Sequence, residues 1–269
     1  NRVSAFAAGL TDRGVDVTLV VPRPDGDLPE RLADVSTSFV RVPTGGVADQ
    51  PIRAVAIARR ANAIAERTGA TVQFEHSTLG GVGSYMGCSN FVLDMHDLAF
   101  GSPLYGDLPL GSLVQRVVRV IEGRAVQNAR RIVVVSERMR ELVAGEWGIP
   151  ADRIDVIPNG YFAGTVADFS DIETVEGRVV FLGTLHPKLD LEAFVEVARI
   201  PEVDEFIIIG SGARQEDLFD AKERFGLESL RMEGYLPDDE AFELVASAAV
   251  AVNPQNPSSL QQASSPVKL

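Results

Sequence analysis

The sequence predicts an α/β protein built from two doubly wound parallel sheets. Three observations carry that expectation. Short β-branched runs alternate with amphipathic helical stretches almost throughout. The links between them are short, as expected for right-handed crossovers that join parallel strands and cover both faces of a sheet. The alternation lapses once, between Asn159 and Gly177, where three glycines and scattered acids read as a linker. A length of 269 residues is long for one compact domain and comfortable for two. The boundary is therefore drawn near residue 165, giving domains 1–165 and 166–269.

The chain opens on helical spacing at Val3, Phe6, Ala7 and Leu10. Apolar runs at 15–21, 71–75, 91–95, 131–135 and 154–157 are brief, β-branched and bounded by turn residues, so they read as buried strands. Between them Leu113, Val117 and Ile121, with Val114 and Val118, recur at helical spacing, as do Met139, Leu142, Val143 and Trp147. Runs at 179–182, 206–209 and 249–252 repeat the strand pattern in the second half. The helices there are carried by Leu191/Phe194/Val195/Ala198, by Leu218/Ala221/Phe225 and by Phe242/Val245/Ala246/Ala249. Open sheets of this kind bind ligands beyond the carboxyl ends of their strands. If the two halves face each other, the expected site is the cleft between them.

Composition narrows the function. Apolar residues at 45% and charged residues at 23% exclude wholesale disorder. No apolar run reaches the roughly 18 residues a spanning helix needs. A single cysteine, Cys88, excludes a disulfide framework and a multi-cysteine zinc site. A net charge of −13 argues against nucleic acid or an anionic membrane as the main partner, since both need a basic face. The charge is uneven, with 17 basic and 18 acidic residues through Thr165, then 8 and 20. The acids lie inside periodic segments, which reads as a well-solvated surface of the kind found at high salt and not as an acidic tail.

His96 ends the run Phe91-Val92-Leu93-Asp94-Met95, where a doubly wound sheet places functional groups, and a long Gly/Pro-rich stretch at 98–111 follows it as a candidate substrate loop. The competing reading is a histidine satisfied by Asp94 or Asp97, and spacing alone favours it. Gly210-Ser211-Gly212 follows a strand and precedes a helix, so its glycines allow a phosphate to approach backbone N–H groups at a helix N-terminus. Gly80, Gly81 and Gly83 lack the spacing of a dinucleotide fingerprint and read as close helix packing. Only three residues are lysines, and two of them, Lys188 and Lys268, fall near strand ends in the acidic half, which suggests an anion site; ordinary solvated lysines are the alternative. No cluster at metal spacing and no nucleophile elbow is visible.

The segment Ala129-Arg130-Arg131-Ile132-Val133-Val134-Val135-Ser136-Glu137-Arg138-Met139, then Gly148-Ile149-Pro150-Ala151-Asp152-Arg153-Ile154 and Val156-Ile157-Pro158-Asn159-Gly160, resembles the mid-chain signature of family 4 glycosyltransferases of the GT-B fold. Val180-Phe181-Leu182-Gly183-Thr184-Leu185, Ile209-Gly210-Ser211-Gly212, Glu233-Gly234-Tyr235-Leu236-Pro237 and Ser265-Pro266-Val267-Lys268-Leu269 follow in the family's order. The resemblance implies two Rossmann-like domains and transfer of a sugar from a nucleotide-diphosphate donor, with retention of configuration, to a glycan, lipid-linked or other acceptor, as in polysaccharide biosynthesis. It implies no metal and no cofactor beyond the donor. A cytoplasmic location is expected, with peripheral association at the inner face of the membrane as an option. By the same resemblance His96 touches the donor sugar, Lys188, Gly210, Gly212 and Lys268 hold the diphosphate and nucleotide, and Ser136, Asn159 and Gly160 belong to the cleft or hinge.

Thr184 and Ala263 stand where family members often carry an arginine and a glutamate. The family's opening strand with its Gly-rich loop and its ribose-binding glutamate would lie outside residues 1–269. The second domain is then incomplete, and the chain alone is expected to be inactive and poorly soluble. A sugar-nucleotide 2-epimerase of the same architecture would need further acids and histidines, for which His76 is the one extra histidine near a strand end. A non-catalytic binding module is the third reading.

Overall fold

The computed structural model describes residues 2–23, 28, 30–42, 50–101, 110–160 and 169–256. Among these, the residues up to Gly160 form one compact unit and those from 169 onward a second. Within the described residues no helix is long and apolar enough to cross a membrane.

The first unit runs α1 (Arg2–Thr11), β1 (Thr18–Pro22), β2 (Ser36–Val40), α2 (Gln50–Thr68), β3 (Val72–Phe74), α3 (Ser77–Tyr85), β4 (Phe91–Met95), α4 (Gly111–Asn128), β5 (Arg131–Val134), α5 (Glu137–Trp147) and β6 (Ile154–Val156). β1 and β2 pair in parallel, and β3-β4-β5-β6 form a separate parallel sheet in chain order. The central strands β4 and β5 are buried almost throughout because helices cover both faces, so they read as continuous apolar runs. The glycines of α3 are indeed packing residues. A Cβ on Gly81 would strike the backbone of Ile121 in α4, and one on Gly83 would strike the ring of Phe74.

The second unit runs β7 (Val175–Leu182), α6 (Leu191–Ala198), β8 (Glu205–Ile209), α7 (Gln215–Phe225), β9 (Leu230–Gly234), α8 (Asp238–Ala246) and β10 (Ala248–Ala251). Its sheet is again parallel, in the order β10-β7-β8-β9. On one face Phe194 of α6 meets Phe181 edge-on and Phe206 stacked, with ring centroids 5.1 and 5.7 Å apart, and Leu218 of α7 packs in the same cluster. Val180, Ile207 and Ile209 meet Ala241, Leu244 and Val245 of α8 on the other. The sheet is thus doubly wound, as expected.

Several expectations need correction. The run expected at 15–21 starts its strand at Thr18, and the linker expected to reach Gly177 ends earlier, since Gly177 lies inside β7. β2, β9 and α2 are additional elements. In α4 the inward face carries Gly111, Glu122, Ala125 and Val126, while Leu113 and Val117 are 53% and 51% exposed.

Candidate functional site

In parallel α/β units the strands' carboxyl ends collect the helix N-termini and the ligand-facing loops. At that end of the first unit, Glu75 follows β3 and Asp94 is the fourth residue of β4. Asp94 is fully buried and accepts from Nε of Arg2, at the start of α1, at 2.8 Å. Nη1 of Arg2 also donates to the carbonyl of Pro158 and to Oδ1 of Asn159, at 3.3 and 3.2 Å. The segment after β6 is thereby tied to α1 and β4. Burial, then the like charge of Asp94, pushes the Glu75 carboxyl up to about 7, against the lowering effects of Gln73 and Arg2. Oε2 of Glu75 and Oδ1 of Asp94 are both buried without hydrogen-bond partners.

His96 is half-buried just past β4, and its Nδ1 is buried with no partner. Neither expected aspartate satisfies it: Asp94 serves Arg2, and Asp97 lies 3.5 Å from Nε2 of His76. The rings of His76 and His96 meet edge to face at 6.1 Å. Glu122, fully buried on α4, holds this region together. It accepts from the hydroxyl of Ser77, which directly follows His76, and from the N–H groups of Ala99 and Phe100, at 2.9 Å each, just beyond His96. Burial raises its pKa, while those three hydrogen bonds and the nearby His76 pull it back. Most of the candidate loop at 98–111, residues 102–109, lies outside the described residues.

Ser136 is the N-cap of α5, where its side chain accepts from the N–H of Met139 at 3.1 Å. Asn159 is held by Arg2, and Gly160 is the last described residue of this unit.

In the second unit the turn after β8 lies backbone-to-backbone on the turn after β7. Gly210 has φ +131°, and a Cβ there would strike the carbonyl of Gly183; one on Gly212 would come within 2.6 Å of the carbonyl oxygen of Leu185. The N–H of Leu185 donates to Ser211 at 3.0 Å, and the N–H of Arg214 donates to Leu185 at 3.0 Å. Close turn-on-turn packing therefore requires both glycines. Lys188, half-buried, lies in the β7–α6 connection. Its N–H donates to Nδ1 of His186 at 3.2 Å, and its carbonyl accepts from Asn256 at 2.9 Å. Burial first, then the Lys188 charge, lowers the His186 pKa. Lys268 lies outside the described residues.

Sequence reasoning missed Arg2, Glu75, Glu122 and Arg214, the N-cap of α7. Glu122 alone left a readable signal, a charge on the same helical face as Val118 and Ala125. Among the described residues no three His, Cys, Asp or Glu side chains converge as metal ligands. A groove of about 650 Å³ opens between α2, α3 and α4, lined by Val55, Val82, Tyr85, Val117, Val120 and Ile121 with Arg59 and Arg116 at its margins.

A search of curated proteins finds no match to the chain. Solved structures do match. Sucrose-phosphate synthase from Thermosynechococcus elongatus aligns with a TM-score of 0.71 at 16% identity, over 94% of this chain and 69% of that one. WaaG, a glycosyltransferase involved in lipopolysaccharide biosynthesis, aligns with a TM-score of 0.65 at 13% identity, over 94% and 70%. HepE of Anabaena in complex with UDP aligns with a TM-score of 0.63 at 16% identity, over 93% and 68%, and is also known with UDP-glucose. At such identities the likeness shows the fold, GT-B. The profile of the glycosyl transferase 4-like domain matches residues 1–160, more than half the chain, and the chain belongs to that family.

Proposed function

We propose that the chain is a retaining glycosyltransferase that moves a sugar from a nucleoside-diphosphate donor to a lipid-linked or other glycan acceptor. One observation carries the reading: both parallel units gather polar groups at the carboxyl ends of their strands, His96 in the first and Lys188 in the second. The complexes of HepE with UDP and UDP-glucose make UDP-glucose the first donor to try.

When the bond from the sugar's anomeric carbon to the diphosphate breaks, its electron pair leaves on the phosphate oxygen. Lys188 meets that growing charge and stabilises the transition state electrostatically. The acceptor oxygen bonds to the anomeric carbon on the face the diphosphate vacates, and its proton passes to the departing phosphate oxygen. His96, with its free Nδ1, contacts a hydroxyl of the donor sugar. Lysine charge and helix N-termini take the part a cation would play, so no metal is needed.

The groove between α2, α3 and α4 supports a lipid-linked acceptor. It is apolar, opens to solvent and has Arg59 and Arg116 at its margins, two local cations that suit peripheral contact with lipid headgroups at this one face of an otherwise acidic chain. The carboxyl pair Glu75 and Asp94, with His76 nearby in sequence, favours a second reading, epimerisation at C2 of the nucleotide sugar.

The test incubates the chain with UDP-, GDP- and ADP-sugars and lipid-linked acceptors, separating products by mass and anomeric configuration. Acceptor modification with retained configuration, lost in His96→Ala, is the expected result. Epimer formation supports the second reading. Binding without turnover leaves a non-catalytic module.

A further inference from the structure

The helices of the second unit run antiparallel to its strands, so helix C-termini and strand N-termini share one end and ligands belong at the other. The described cations of this unit divide sharply between the two ends. Arg178 and Arg231 are neutralised by Glu205 near the amino ends of β7 and β9, and Arg231 also binds Glu233. Arg199 and Arg224 lie over the ring of Phe225 at 4.6 and 5.2 Å, beside the C-termini of α6 and α7, and Lys222 is in the last turn of α7. Among the described residues that leaves Lys188 and Arg214 at the carboxyl end.

These two are joined through one turn. Nη2 of Arg214 donates to the carbonyl of Pro187, next to Lys188, at 3.4 Å, and its backbone N–H donates to Leu185. Nη1 pairs with Asp217 at 2.8 Å, an i,i+3 pair with side chains 33% and 50% exposed. Such a pair is held weakly and yields to a better anion. Nε is buried and has no acceptor. Among the described residues the other charged side chains at these helix starts are acids: Asp190 and Glu192, Glu216 and Asp217, and Asp238, Asp239 and Glu240. A polyanion can settle at this end only where cations reverse that field.

We propose that Arg214 is a binding residue for the diphosphate of the donor, acting with Lys188. The guanidinium fork can engage two phosphate oxygens in place of Asp217, whereas Lys188 acts as a point charge. The assignment rests on the nucleotide-sugar reading above.

Calorimetry with UDP, GDP and ADP, and with the matching nucleosides, tests it on the whole chain. With whichever diphosphate binds, Arg214→Ala and Lys188→Ala should each weaken affinity roughly tenfold, the loss of one charge-assisted hydrogen bond, and leave nucleoside binding unchanged. Arg214→Gln, which keeps the side-chain length, should lose as much. If Lys188→Ala weakens the diphosphate and the Arg214 variants do not, the inference falls and the donor reading stands. Equal loss of diphosphate and nucleoside in the Arg214 variants would make it a structural residue and overturn the inference. If no diphosphate binds the unaltered chain, both fall.

Discussion

Glu75 holds a proton in the folded chain at pH values where it has lost it in the unfolded one. Its carboxyl is pushed from 4.5 to about 7. Stability from this residue is therefore fully present below 4.5 and is lost as pH rises through 7, because the native state binds more protons in that window. Glu75→Gln should raise the melting temperature at about pH 8 and leave it nearly unchanged at about pH 5; an equal effect at both would mean that Glu75 is not desolvated. Glu122 gives the opposite outcome. An amide there faces one of the backbone N–H groups of Ala99 and Phe100, which can only donate, with its own NH2, so Glu122→Gln should cost about 1–3 kcal/mol in denaturant unfolding. At this scale the position of His96 just past β4 was legible, because a strand end can be read from a run of apolar residues. Arg2 was not, since its partners Asp94 and Asn159 are brought to it only by the fold. Periodicity puts Glu122 on the inward face of its helix but does not record its partners Ser77, Ala99 and Phe100, which only the fold supplies.

Elements were legible where both faces are buried. β4 was read with its observed bounds, and β8 to within a residue, because strands covered on both sides spell continuous apolar runs. β2, with the polar run Ser36-Thr37-Ser38, and β9, with Arg231 and Glu233, carry no such run. In α2 the arginines and alanines dilute the period. α4 was found but its face was misjudged, because its outer apolar residues line the groove instead of the core. Glycine positions separate local propensity from packing. Gly145, exposed on helix α5, has open space where a Cβ would go, so Gly145→Ala should stabilise by roughly 0.5–1 kcal/mol. Gly210→Ala meets the carbonyl of Gly183 at a φ of +131° and should cost about 1–3 kcal/mol from strain alone. Urea unfolding of the two variants checks both signs.

The whole molecule carries its charge on one half, −1 through Thr165 and −12 beyond. Two compact units so differently charged should unfold in two steps with different salt responses. Raising salt from about 0.1 to 1 M shortens the Debye length from about 10 to 3 Å, which relieves repulsion chiefly in the second unit. Scanning calorimetry should show one transition moving upward with salt and the other nearly fixed; a single transition would mean that the units melt together. Strand order also sets a timetable for the nascent chain. β3 to β6 join their sheet one after another, so each strand finds its neighbour already made. In the second unit β7, the first strand synthesised, must wait for β10, the last described, to cover one of its edges. On the ribosome that edge stays open while α6, β8, α7, β9 and α8 are made, a template for pairing with another chain. The hazardous interval in the life of this protein is thus a matter of translation speed, and it falls between the emergence of Leu182 and that of Ala248.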